Sequence, residues 1–260
     1  MSGQISAKLP FTVANIPPLT LDLPLTLKLY SQHSVGDATA FYFCGESTDD
    51  PLYAITAVSH DTESNNIMQG LYLHNGPSRC KPAIAGAGEP EPPSYRHIDP
   101  DSYVVLISFL LRTIDVQMRT TEEGKVAFTF QVEVEVNSGK RNDVFSWIRV
   151  AKKDDEAELG NGGYKLVRHP PKPRQSPEET VDNTSWPEHD LSNEGQVLAV
   201  LSYAKRRLWQ LNPLNSWRHM CTLRFTHEDV LRQMGVNLRQ TILMTALRLS
   251  VLKSKGRLSS

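Results

Sequence analysis

Residues 126–136 read Val126-Ala127-Phe128-Thr129-Phe130-Gln131-Val132-Glu133-Val134-Glu135-Val136. Every even position is apolar, and the odd ones carry Ala, Thr, Gln, Glu and Glu. Side chains on an extended backbone point alternately to opposite faces, so this pattern marks one long strand with a core face and a wet face. Phe130, Val132 and Val134 are assigned to the core, and Gln131, Glu133 and Glu135 to solvent. The chain continues through a polar stretch read as a turn, Asn137-Ser138-Gly139-Lys140-Arg141-Asn142-Asp143. It then enters Val144-Phe145-Ser146-Trp147-Ile148-Arg149-Val150 and later Gly163-Tyr164-Lys165-Leu166-Val167-Arg168. Runs of this kind in succession predict an antiparallel β architecture.

Outward from this block, further strands are predicted over Leu25–Tyr30, Thr39–Cys44, Pro51–Val58, Ile67–Leu73, Val116–Thr121, Gln196–Ala204 and His219–Phe225, and the apolar run Tyr103–Leu111 fits strand or helix, its β-branched and aromatic start favouring a strand. Two stretches break the pattern. Residues 76–101 hold six prolines and the small-residue run Ala83-Ile84-Ala85-Gly86-Ala87-Gly88, and residues 169–194 hold five prolines and a net acidic balance. Both compositions predict long exposed loops. Residues 1–24 read as extended and Pro-punctuated.

The C-terminal part changes character. Thr226 followed by Asp229 resembles a capping box and opens a short helix, His227–Met234, stopped by Gly235. Asn237 is placed to cap a second helix running to about Lys253. On a helical wheel Ile242, Leu243, Met244, Ala246, Leu247, Leu249 and Val251 cover most of the circumference, leaving Thr241, Thr245 and Arg248 on one narrow polar strip. A helix apolar nearly all round is one surrounded by protein. Arg248 then has to reach solvent or meet a carboxylate, since a buried unpaired charge is too costly.

The pattern Phe128-x-Phe130-x-Val132-x-Val134, followed by Gly139-Lys140-Arg141-x-x-x-Phe145-x-Trp147 and Gly163-Tyr164-Lys165-Leu166-Val167-Arg168, resembles a set of fungal proteins. These are similar to the tubby C-terminal, phospholipid scramblase and LURP-one superfamily. A weaker likeness covers Asn193–Val200 and the final helix. The resemblance implies a single domain over residues 1–260: a mainly β, antiparallel, closed tubby-like β barrel with the hydrophobic C-terminal helix inside. Ser146 stands where the resembling proteins carry Glu, Ile148 where they carry Arg, and Tyr164 where they carry Trp. Apolar positions are kept while polar ones drift, so the resemblance bears on fold and carries over no site.

Composition narrows the function classes. At 260 residues the chain can bury a full core, and 39% hydrophobic with 22% charged residues is ordinary for a folded protein. No apolar run approaches the roughly 20 residues of a membrane span. Residues 1–18 lack a basic segment followed by an apolar one, so no secretory signal is read. Three scattered cysteines, Cys44, Cys80 and Cys221, argue for free thiols in a reducing compartment. Together these predict a cytoplasmic protein, with peripheral-membrane or nuclear location left open. The net charge of −1 hides an asymmetry. Residues 195–260 carry eleven Lys/Arg against Glu228 and Asp229, whereas residues 1–194 carry 17 basic and 27 acidic side chains. Two parts of one fold that attract each other account for this, as does a basic tail that meets phosphate.

Chemistry is sparse. None of the eight histidines pairs at ligand spacing, and HExxH, GxSxG, GxGxxG and P-loop patterns are missing. Gly160-Asn161-Gly162-Gly163 reads as a hairpin rather than a phosphate cradle. Asp154-Asp155-Glu156 with Glu158 reads as a solvated edge rather than a calcium site. No cofactor, metal site or catalytic residue is implied, and a non-catalytic protein is favoured over an enzyme with a site assembled from distant residues. The best partner signal is Lys205-Arg206-Arg207 with Trp209, where cations suit phosphate and an indole suits a membrane interface. Lys140 and Arg141 are a second candidate for anionic ligands. A basic hairpin tip with Trp209 tucked into the core is the plainer alternative. Two functions follow: an interaction or scaffold module for a protein partner, with the Pro-rich loops as contact surfaces, or a protein binding anionic lipid or phosphoinositide through the basic hairpin. Nucleic acid ranks below both, because the pI is near 6.7 and no recognised motif is present.

Overall fold

The computed structural model describes residues 23–33, 40–61, 67–88, 102–107, 113–118, 126–136, 139–150, 162–169, 195–204 and 216–254. The strands are β1 (Thr26–His33), β2 (Ala40–Cys44), β3 (Pro51–Asp61), β4 (Ile67–His74), β5 (Ala83–Gly88), β6 (Ser102–Ile107), β7 (Thr113–Met118), β8 (Val126–Val136), β9 (Gly139–Val150), β10 (Gly163–His169), β11 (Gln196–Tyr203) and β12 (Ser216–Phe225). Two helices follow, α1 (Glu228–Gln233) and α2 (Val236–Ser254).

β8 obeys its alternation. Phe128, Phe130, Val132 and Val134 are buried while Glu133 is exposed. The side chain of Glu135 lies outside the described part of the structure. Antiparallel pairing sets Phe130 opposite Phe145 and Phe128 opposite Trp147. The rings of Phe130 and Phe145 stack with centroids 5.5 Å apart. The inner faces of β9 and β10 continue the same apolar layer through Trp147, Tyr164 and Leu166.

The sheet runs β7-β6-β5-β4-β3-β2-β1-β12-β11-β10-β9-β8, all antiparallel. Except for β7 and β8, each strand pairs with its neighbours in the chain, and β1 pairs with β12. The hydrogen-bonded ladder ends at β7 and β8, so the expected closed barrel is not completed by pairing among the described residues. These two edge strands nevertheless hold Cα atoms within 8 Å of each other.

α2 fills the concave side. Every residue from Leu238 to Leu252 is buried except the half-buried Arg239. The helix touches β5, β6, β8 and β12, strands drawn from both ends and the middle of the sheet. The sheet therefore curls round it, as the apolar wheel requires. Its polar strip is satisfied inside. Trp147 Nε1 donates to Thr245 Oγ1 at 2.9 Å, Thr241 and Ser250 hydroxyls donate back to helix carbonyls, and Cys221 Sγ meets Ser250 Oγ at 3.0 Å. Arg248 is 2% exposed and has a partner, so the route to solvent is not the one taken.

Several sequence expectations are corrected. Ala83–Gly88, read as part of a loop over 76–101, forms β5. Its small residues are what the space demands. Ala85 and Ala87 face the core under α2, and Gly86 sits opposite Tyr72, whose ring would lie 3.3 Å from an added Cβ. The turn read over 137–143 is shorter, because β9 starts at Gly139 and runs Lys140 against Glu135. β12 starts at Ser216 rather than at His219, and β7 lies over Thr113–Met118 rather than Val116–Thr121. The Thr226 hydroxyl donates to the Val197 and Leu198 carbonyls instead of capping α1, and Asn237 lies inside α2 rather than before it. Residues 89–101, and the predicted loop 169–194 beyond His169, lie outside the described residues.

Candidate functional site

Lys205, Arg206, Arg207 and Trp209 lie outside the described residues, in the link from β11 to β12. Lys140 and Arg141 are not at a turn but on β9. The side chain of Lys140 is outside the described part. Arg141 is described, and the structure joins it to two residues that sequence reasoning did not select, Asp143 and Arg168.

These three come together because of register. Arg141 and Asp143 are two apart on one strand, so they share a face. They lie opposite Val134 and Val132, both core positions, and Arg168 lies opposite Phe145 on the next strand. All three thus sit on the inner face, at the end of β8–β10 where the apolar layer stops. The Asp143 side chain has no exposure, against 42% for Arg141 and 29% for Arg168. Arg141 grips it side-on, Nε to Oδ1 at 2.6 Å and Nη2 to Oδ2 at 3.3 Å. Arg168 brings Nε to Oδ2 at 2.7 Å, and its Nη2 to the same oxygen. Burying a carboxylate is costly unless it is paired and hydrogen-bonded, and two guanidinium groups supply that. One carboxylate leaves the pair with one positive charge in excess.

A second constellation occupies the outer face of β2, β1 and β12. Tyr30 pairs with Tyr42 on one side and His219 on the other. Leu29 and Phe43, neighbours of Tyr30 and Tyr42, take the core face, and a register shift at Leu29/Tyr30 lets Cys221 do so two residues from His219, so these rings point outward. Trp217 joins them, 5.1 Å from Tyr42 and 6.2 Å from Tyr30 between centroids, and Tyr30 stands 5.2 Å from His219. All four are half-buried. His219 Nε2 lies 2.9 Å from the Cys221 carbonyl oxygen, which only accepts, so this nitrogen carries the proton. Burial pushes the His219 pKa below its ordinary value, nearby Lys28 lowers it further, and the bond to the Cys221 carbonyl opposes both. Lys28 is itself held by the carbonyl and carboxylate of Glu46.

The two buried thiols are quiet. Burial raises the Cys221 thiol to about 12, against the lowering effect of its bond to Ser250, and burial with the charge of Asp50 raises Cys44 to about 11. Both thiols stay protonated at neutral pH. Among the described residues no group of three His, Cys, Asp or Glu is placed to hold a metal, and no helix is long and apolar enough to cross a membrane. Comparison with known protein families, curated proteins and solved structures finds no match for this chain.

The aromatic face had a partial signal in sequence. Tyr30 and Tyr42 fall on predicted strands, but beginning β12 at His219 left Trp217 off the sheet. The arginine pair has the same kind of signal, masked by the turn-like composition of residues 140–143.

Proposed function

We propose that this protein is a non-catalytic interaction module: a tubby-like barrel, closed round α2, that presents its outer aromatic face to a protein partner. The barrel is supported by a strand order that follows the chain, by the β1–β12 pairing, and by the closeness of β7 to β8. With the concave side filled by α2, the outer surface is what remains for contact. The observation that carries the reading is the cluster of Tyr30, Tyr42, Trp217 and His219 on that surface. Tyr and Trp bring large, rigid contact area at low entropic cost and anchor many interfaces. Three free cysteines suit a cytoplasmic setting.

Photo-crosslinking tests this. A photoreactive residue in place of Tyr42 should capture a discrete partner in cells, and Trp217→Ala should abolish that capture without changing the melting temperature. The same reporter at Asp229, exposed on α1, serves as control. Equal capture at both positions would contradict the reading.

The alternative, binding of anionic lipid or phosphoinositide, draws on one observation. The link that carries Lys205, Arg206, Arg207 and Trp209 returns to the sheet at Ser216, next to Trp217. Vesicles rich in phosphatidylserine distinguish the two. Lipid binding predicts salt-sensitive attachment, weakened about a hundredfold when all three cations become Ala, at roughly 1 kcal/mol each. No attachment at low salt leaves the protein-partner reading alone.

A further inference from the structure

We infer that Arg141 and Arg168 form a binding site for carboxylates, taking an acidic peptide segment of a partner. This rests on the reading of the protein as an interaction module and names the chemical group recognised. It is built on residues separate from the aromatic face.

Three observations carry it. Asp143, fully buried, holds both guanidinium groups through Nε and Nη2, so their orientation is set before any ligand arrives. Preorganised forks lose less entropy on binding. Among the described residues the Nη1 nitrogens have no partner, and both side chains remain accessible at 42% and 29%. The charge balance then selects the ligand. Two cations and one carboxylate leave a single positive charge, which a singly charged carboxylate neutralises. A phosphate monoester carries about −1.5 to −2 at neutral pH and would leave negative charge uncompensated. Among the described residues, the groups facing the pair do not supply that second carboxylate. Across the ladder stand Val132 and Val134, while exposed Glu133 alternates to the opposite face.

The site is read by NMR of the arginine Nε–Hε resonances in the full chain. The probe is an N-acetylated, C-amidated hexaglutamate peptide at constant ionic strength, with inorganic phosphate and phosphatidylserine vesicles as comparators. Hexaglutamate should shift both the Arg141 and Arg168 signals saturably, and more tightly than phosphate does. R141Q should weaken it about tenfold or more, the loss of one charged hydrogen-bonding partner. Arg168 still covers Asp143 in that variant, so amide exchange in α2 should be unchanged. R141K, which keeps the charge without the fork, should fall between. The inference is overturned if hexaglutamate leaves both signals unmoved, if R141Q binds it as wild type does, or if phosphate or the vesicles bind these arginines more tightly. Retained crosslinking at position 42 in any of those cases would leave the interaction module standing and remove only this site.

Discussion

Phe130 and Glu133 stand on opposite faces of one strand, and they test the core most simply. Phe130→Ala should cost roughly 3–5 kcal/mol from lost transfer energy and the cavity left behind. Glu133→Ala should cost under about 0.5 kcal/mol. Urea unfolding measures both, and equal costs would mean that the strand is buried on both faces. Thr245 tests the seam between sheet and helix. Thr245→Val keeps the shape but leaves the buried Trp147 N–H without its acceptor, at a cost of about 1–3 kcal/mol. Thr245→Ser should restore most of that. His219 gives the pH dependence. Its folded pKa lies below the ordinary 6.5, so the unfolded chain binds its proton more readily. Its contribution is present above 6.5 and is lost as pH falls from there toward the folded value. A thermal melt series from pH 7.5 to 5.5 should therefore decline, and His219→Gln should flatten that decline. An unchanged slope in the variant would assign it to other groups.

Among the elements, the β10–β11 pair is closely packed at the residue that leads into β11. A Cβ on Gly195 would stand 2.2 Å from Val167 Cγ1 and 2.7 Å from the Arg168 carbonyl oxygen, beside a register shift at Leu166/Val167. Because one obstacle is backbone, Gly195→Ala should destabilise by about 1–3 kcal/mol through overpacking. An unchanged midpoint in denaturant would show that the bulge yields. Elements differ in how far sequence reveals them, and the difference is physical. β8 is readable from its residues because its two faces meet different media. α2 is readable because it meets the same medium all round. β5 is hidden, since Ala85, Gly86 and Ala87 are chosen for the space left by Tyr72 and α2, and that space is a tertiary property. The start of β9 is hidden for a related reason. Arg141 and Asp143 look like turn residues until Arg168, twenty-five positions on, is placed beside them. The aromatic face joins β1, β2 and β12, and only the β1–β12 ladder brings Trp217 and His219 next to Tyr30.

For the whole molecule the governing relation is between the curled sheet and the helix it holds. The helix is too apolar to stand in water, and the inner face of the sheet is too apolar to stand without it. That mutual burial leaves the outer aromatic face and the arginine pair at the rim as the surfaces on which the proposed partners would act. Hydrogen exchange along α2 tests this most directly. Amides of Leu243–Leu249 should exchange only through global unfolding, with an exchange free energy equal to that from denaturant titration. Exchange of those amides within minutes under native conditions, while the strands stay protected, would contradict the enclosed helix.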